Sequence, residues 1–205
     1  MTIADDVLTE LKPRPYAEVR RLVHNGDLLL CSANDPFSRL IRWSAKSPWS
    51  HIAIAYRIPT LNRVMVLESV QQLGVRTVPL ASFISRTSSG THPYPGRIIL
   101  ARHAGVATLS AARSKRLFDF AFSRLGDHFA GGEILKIALR LLLSRPGMRL
   151  PHMLGPKNEF ICSEYVAKCF EHAGLKIPWD GRGFVAPADF AVVPEISAIA
   201  QIRTR

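Results

Sequence analysis

Three residues stand out by type and placement as able to do chemistry: His51, Glu68 and Cys162. A cysteine becomes a nucleophile when its thiol ionises near neutral pH, which a cationic neighbour or a helix N-terminus promotes. Histidine suits taking and returning that proton, and a carboxylate can hold its ring in one tautomer. Such a trio forms a thiolate–imidazolium pair fit for acyl transfer through a covalent intermediate. Each residue breaks its local pattern. His51 opens the apolar run His51-Ile52-Ala53-Ile54-Ala55-Tyr56, Glu68 interrupts the run Val64 to Val70, and Cys162 follows Phe160-Ile161 where a helical pattern begins.

The elements that must position them can be read from pattern and punctuation. Tyr16 to Val23 reads as a short helix, His24-Asn25-Gly26-Asp27 as a turn, and Leu28 to Ser32 as a strand. Ser38 to Ala45 suggests a helical turn, broken by Ser47-Pro48-Trp49-Ser50. Strands are expected at 51–57, 64–70, 74–80 and 97–102, with a polar loop over 85–96. Ser110 to Leu125 carries apolar residues at helical spacing. A cationic helix is expected at Glu133 to Ser144, and a helix from Phe160 to Ala173 is closed by Gly174. The proline-containing tail adds turns and a short strand. Strands gather in the first half and helices in the second, so the fold class is α+β.

Geometry links two of the three residues. A hairpin of 51–57 with 64–70 that sets His51 directly opposite Glu68 centres its turn near residues 59 and 60. That centre falls inside the turn Ile58 to Arg63, and opposed side chains lie about 5 Å apart. A slip of one residue would put them on opposite faces. Cys162 at a helix start would feel unpaired N–H groups that lower its pKa and can hold an oxyanion.

The motifs that surround these residues resemble a known family. Asn25-Gly26-Asp27-Leu28, Ser50-His51-Ile52-Ala53-Ile54, Leu67-Glu68-Ser69, Phe160-Ile161-Cys162-Ser163-Glu164-Tyr165 and Ala186-Pro187-Ala188-Asp189-Phe190 follow one another in that order. Together they resemble the circularly permuted, NlpC-type papain-like cysteine hydrolases, in the YiiX-like branch, over about residues 25 to 190. The resemblance implies Cys162 as nucleophile, His51 as general base and Glu68 as the residue that orients it. It implies a small antiparallel sheet or barrel packed against the helix that carries the cysteine. The implied activity is amide hydrolysis of small peptides or wall fragments, or acyl transfer on lipids, with no metal or organic cofactor. A lead-in of residues 1–23 and a domain of 24–205 follow, with a basic helical insertion around 130–158 that the motifs leave unexplained.

Other candidates have simpler roles. Cys169 falls on about the same helix face as Cys162 and reads as core, as does Cys31 in its apolar strand. Three cysteines without framework spacing do not make a disulfide scaffold, and no second ligand pair accompanies Cys169 and His172 to hold zinc. His24, His92, His103, His128, His152 and His172 lie in loops or at element ends. Asp27 and Asp189 suit turns or caps. Nothing in spacing demands a site role for Tyr56 or Tyr165, and Trp43, Trp49 and Trp179 fit either core or cleft.

Composition bounds the class. The chain has 205 residues, 47% hydrophobic and 21% charged, which fits a globular domain with ample core. With 27 Lys and Arg against 16 Asp and Glu, the formal charge is +11 and an anionic partner is expected. The helical segment with Lys136 and Arg140 could lie on an anionic membrane surface. Nucleic acid is disfavoured, because no helix-turn-helix, zinc-finger or aromatic RNA-binding signature is present. The acidic, interrupted N-terminus lacks a signal-peptide pattern, and no apolar run approaches the roughly 18 residues of a membrane span. A cytoplasmic protein, at most peripheral to a membrane, is expected. The contrasting expectation is a non-catalytic binding protein for anionic lipid or another anionic partner on the same scaffold.

Overall fold

The computed structural model describes residue 3 and residues 11–71, 73–85, 92–129, 161–178 and 185–204. The expected helix over 133–144 and the insertion 130–158 lie outside the described residues, as does Trp179. The described strands form one sheet in the order β1-β7-β6-β2-β3-β4-β5. They are β1 (Pro13–Arg14), β2 (Leu28–Ala33), β3 (His51–Ile58), β4 (Arg63–Val70), β5 (Gly74–Pro79), β6 (Gly96–His103) and β7 (Ile196–Ile202). Every neighbouring pair is antiparallel except β1 with β7.

The central strands are apolar at successive positions because both sheet faces are covered. Leu28, Leu30, Ile52, Ile54, Leu67 and Ile99 point into one core, and Leu29, Cys31, Ala53, Ala55, Val66 and Ile98 into the other. The first core is roofed by α5 (Ala111–Ser123) and α6 (Cys162–His172), with α7 (Pro187–Ala191) beside them. The second holds Val19 of α1 (Tyr16–Leu22) and Leu80, Phe83 and Ile84 of α3 (Leu80–Ser85). The remaining α-helices among the described residues are α2 (Pro36–Ala45) and the single turn α4 (Ala104–Ala107). An α+β architecture results.

Two local differences from the sequence reading have clear causes. The chain turns into α3 at Leu80, where a strand end and loop were expected, because Leu80, Phe83 and Ile84 sit at helical spacing and bury together. The stretch 38–45 extends to a ten-residue helix because Asp35 caps it, accepting from the Ser38 N–H at 3.1 Å, with Pro36 in the first turn.

A buried ion pair ties the start of β2 to β6. Arg102 Nε lies 2.7 Å from Asp27 Oδ1, and the other Asp27 oxygen accepts the His24 N–H at 2.7 Å. Asp27 thus does more than shape a turn. The β4–β5 hairpin is held at Gly74, whose φ of +70° suits glycine. A Cβ there would sit 2.0 Å from the Asp127 carbonyl oxygen. No described helix is long and apolar enough to cross a membrane.

Candidate active site

Cys162 is the first residue of α6. Ile161 before it is extended and offers no side-chain cap, so the first N–H groups of the helix have no partner within the helix itself. The helix lies where it does because Cys162, Tyr165, Val166, Cys169 and Phe170 form one apolar stripe against the sheet. Tyr165 adds a bond from its hydroxyl to the Ala121 carbonyl at 2.9 Å, which ties α6 to α5. At the far end, Gly174 takes φ +72°, and Arg113 Nε donates to the Ala173 carbonyl at 2.7 Å.

His51 is the first residue of β3 and Glu68 lies within β4. Their strands pair with Ile54 opposite Leu67 and Ala55 opposite Val66. Continued along the strands, that register sets His51 opposite residue 70 and Glu68 opposite residue 53. The expected direct opposition is therefore corrected to a diagonal relation. A shift of two residues preserves the face, because side chains alternate with period two, so the pair still meets. His51 Nε2 is 2.8 Å from Glu68 Oε2.

The thiol closes the group. The Cys162 thiol faces the His51 ring and the backbone N–H groups of Ile52 and Ser163, all of which favour its ionised form. With Nε2 engaged by Glu68, Nδ1 is the ring nitrogen left for the sulfur. The helix and the histidine belong to different faces of the sheet, and they meet because His51 stands at the strand end, where the front of α6 reaches Ile52.

Electrostatics follow from these contacts. Burial raises the Cys162 pKa, but the His51 charge, its hydrogen bond and the two backbone donors outweigh burial, and the net shift is downward. Burial likewise disfavours a charged His51, yet Cys162 and Glu68 push it up to about 10. Glu68 is lowered despite its burial, through His51 and Arg76. Cys31 and Cys169 go the other way: burial raises both thiols. The three cysteines are free, and Cys162 alone among them has its pKa shifted downward.

A cleft of about 530 Å³ opens over the three residues. Phe37 and Ile41 of α2, Phe83 of α3, Tyr94 and Phe129 supply apolar wall, and Asp35, Gln71, Arg76 and Ser82 supply polar groups. His51 stacks at 6.4 Å from the Phe83 ring and keeps its side chain 16% exposed to the cleft.

Sequence reasoning overlooked Arg76, Phe83 and the Ile52 N–H. Arg76 could have been found from the β4–β5 pairing, but the other two carry no local signal. Trp49 is buried in the first core, and Trp43 is 61% exposed and off the cleft. Tyr56 packs on Phe118 and Phe122, away from the thiol. Asp189 accepts the Ala186 N–H at 2.7 Å, an N-terminal brace for α7. His103 caps α4, accepting from the Gly105 N–H through Nδ1, and burial lowers its pKa in keeping with a neutral acceptor.

The chain matches a family model described as permuted papain-like amidase enzyme, YaeF/YiiX, C92 family, over residues 22–134. That span contains His51 and Glu68 and stops before Cys162; the name matched is YaeF/YiiX and not NlpC. Among solved structures, the chain is similar to the crystal structure of metalloprotein YiiX from Escherichia coli O157:H7. The two are 19% identical with a TM-score of 0.58, over 86% of this chain and 96% of that one, a likeness of fold. Among the described residues here, no group of three or more His, Cys, Asp or Glu could hold a metal ion. No curated protein matches the chain.

Proposed function

The chain belongs to the permuted papain-like amidases of the YaeF/YiiX family, a cysteine peptidase and amidase family, and from that premise we propose that Cys162, His51 and Glu68 are its catalytic residues. The observation that carries the proposal is the unbroken chain of contacts from the thiol to the His51 ring to the Glu68 carboxylate. Each link has the polarity that covalent catalysis requires.

The reaction proceeds in two halves. The Cys162 thiolate attacks an amide carbonyl carbon, and the oxygen takes the negative charge of the tetrahedral intermediate. The N–H groups at the front of α6, that of Cys162 first, would donate to such an oxyanion. His51, protonated on Nδ1, gives its proton to the leaving nitrogen as the C–N bond breaks and a thioester forms. Water then attacks the thioester while His51 takes its proton, and the carboxylic acid leaves as the thiolate is restored. Glu68 keeps the ring oriented through Nε2 and stabilises its charged form.

A cleft of about 530 Å³ matches the usual size of a small-molecule site. The substrate is accordingly a small amide, a short peptide or wall fragment, with an apolar group against Phe37, Phe83 and Phe129. Iodoacetamide tests the reading directly. Native protein at neutral pH should be alkylated at Cys162 and spared at Cys31 and Cys169, as mapped by peptide mass spectrometry. Equal labelling of the three, or none at Cys162, would remove the basis for a thiolate nucleophile.

A further inference from the structure

Glu68 has two oxygens, and each faces a different cation. Oε2 is turned to His51, whereas Oε1 is held by Arg76, 2.9 Å from Nε and 2.8 Å from Nη2. We propose that Arg76 is a positioning residue of this site, which holds Glu68 as a carboxylate in one orientation so that its other oxygen stays aimed at His51. The inference rests on the reading of Cys162, His51 and Glu68 as the catalytic group and adds a fourth member to it.

The backbone itself sets the contact. Glu68 and Arg76 are directly opposed in the β4–β5 ladder, so the guanidinium reaches the carboxylate from the neighbouring strand. Two nitrogens on one oxygen restrain the rotation of the carboxylate, which a single donor would leave freer.

Burial makes the contact consequential. The Glu68 side chain is 2% exposed, so water cannot replace the guanidinium at Oε1. A buried carboxylate stripped of that partner drifts toward its neutral acid. A protonated Glu68 can donate to His51 Nε2, which would favour the tautomer with hydrogen on Nδ1. The nitrogen that meets the sulfur would then no longer be able to accept its proton.

Charge points the same way. With Cys162 as thiolate and His51 as imidazolium, Glu68 leaves the trio with one net negative charge, and Arg76 cancels it. Among the described residues, the titratable groups facing the carboxylate are His51 on β3, Arg76 on β5 and Cys31 on β2, with Tyr94 bonded to Cys31 and Cys162 beyond the His51 ring. While Glu68 stays ionised, loss of the guanidinium leaves its negative charge uncancelled, which disfavours the Cys162 thiolate.

Arg76 lines the cleft with its side chain 38% exposed, so an uncharged side chain of similar length can take its place without opening a void in the core. The test is the pH dependence of iodoacetamide alkylation at Cys162 in the full chain, with melting temperature followed in parallel. Arg76→Met should move the alkylation midpoint upward by about one pH unit. It should also slow the reaction near the wild-type midpoint by about tenfold. Arg76→Lys, which keeps charge without the fork, should restore part of the shift. If Arg76→Met fails to fold, Arg76→Gln carries the same comparison. An unmoved midpoint with only a changed melting temperature would reduce Arg76 to a strut and overturn the proposal. A wild-type Cys162 that titrates as an ordinary thiol would overturn the catalytic reading beneath it, and this inference with it.

Discussion

His51 Nε2 lies 2.8 Å from Glu68 Oε2 although the two residues are diagonal and not opposed across β3 and β4. The diagonal suits a long side chain, since Glu68 can lean along its strand to reach the ring. It also leaves the other carboxylate oxygen toward β5, where Arg76 takes it. One buried acid thereby joins three strands at the floor of the cleft.

Glu68→Gln keeps the shape and removes the charge. Turnover of a chromogenic ester such as p-nitrophenyl acetate is expected to fall by about 10²-fold or more, the usual scale for disabling acid–base assistance. Steady-state kcat/KM measures it. Activity near the wild-type level would show that His51 needs no carboxylate.

The pH profile has two limbs of different origin. Activity should rise with pH as the Cys162 thiol ionises, at a pH below the ordinary thiol value of 9.0. It should fall again as His51, raised to about 10, loses the proton it must give the leaving group. Because the two groups are coupled, the limbs report the pair. Alkylation by iodoacetamide needs only the thiolate and should stay high above pH 10, which separates the limbs in one pair of measurements.

Acid stability carries the signature of Glu68. Its folded-state pKa is lowered from 4.5, so the unfolded chain binds the proton more readily. The stabilisation is fully present above pH 4.5 and is lost as pH falls through the lower, folded-state value. Thermal melts from pH 6 to pH 3 should show a steeper acid loss for wild type than for Glu68→Gln.

Asp27→Ala removes the buried partner of Arg102 and the acceptor of the His24 N–H. Breaking a buried pair from one side is expected to cost about 3 kcal/mol or more. Urea unfolding followed by circular dichroism checks it. The alkylation midpoint of Cys162 should stay in place, because Asp27 does not contact the site.

Much of this site was legible in the chain because the relevant signals are local. Cys162 heads a run whose apolar positions recur at helical spacing, and Gly174 marks its end. His51 and Glu68 interrupt apolar strands joined by a turn with Pro59 and with Asn62 in the left-handed conformation. Pattern and punctuation of this kind depend on a few neighbouring residues and survive reading without a structure. The same signals define an α+β chain with His51 and Glu68 on one face.

Register, the choice of neighbouring strands and the docking of α6 were decided only by the tertiary structure. Pairings two residues apart present the same face, so alternation alone cannot separate direct opposition from a diagonal. Arg76 becomes a partner of Glu68 only through the third strand, and the Ile52 N–H reaches the thiol only through the seat of α6 at the end of β3. The chain determined which groups were available for thiol chemistry. Packing on both sheet faces determined which atoms met, because contacts between distant segments are selected by the energy of the whole core and not by any local run of residues.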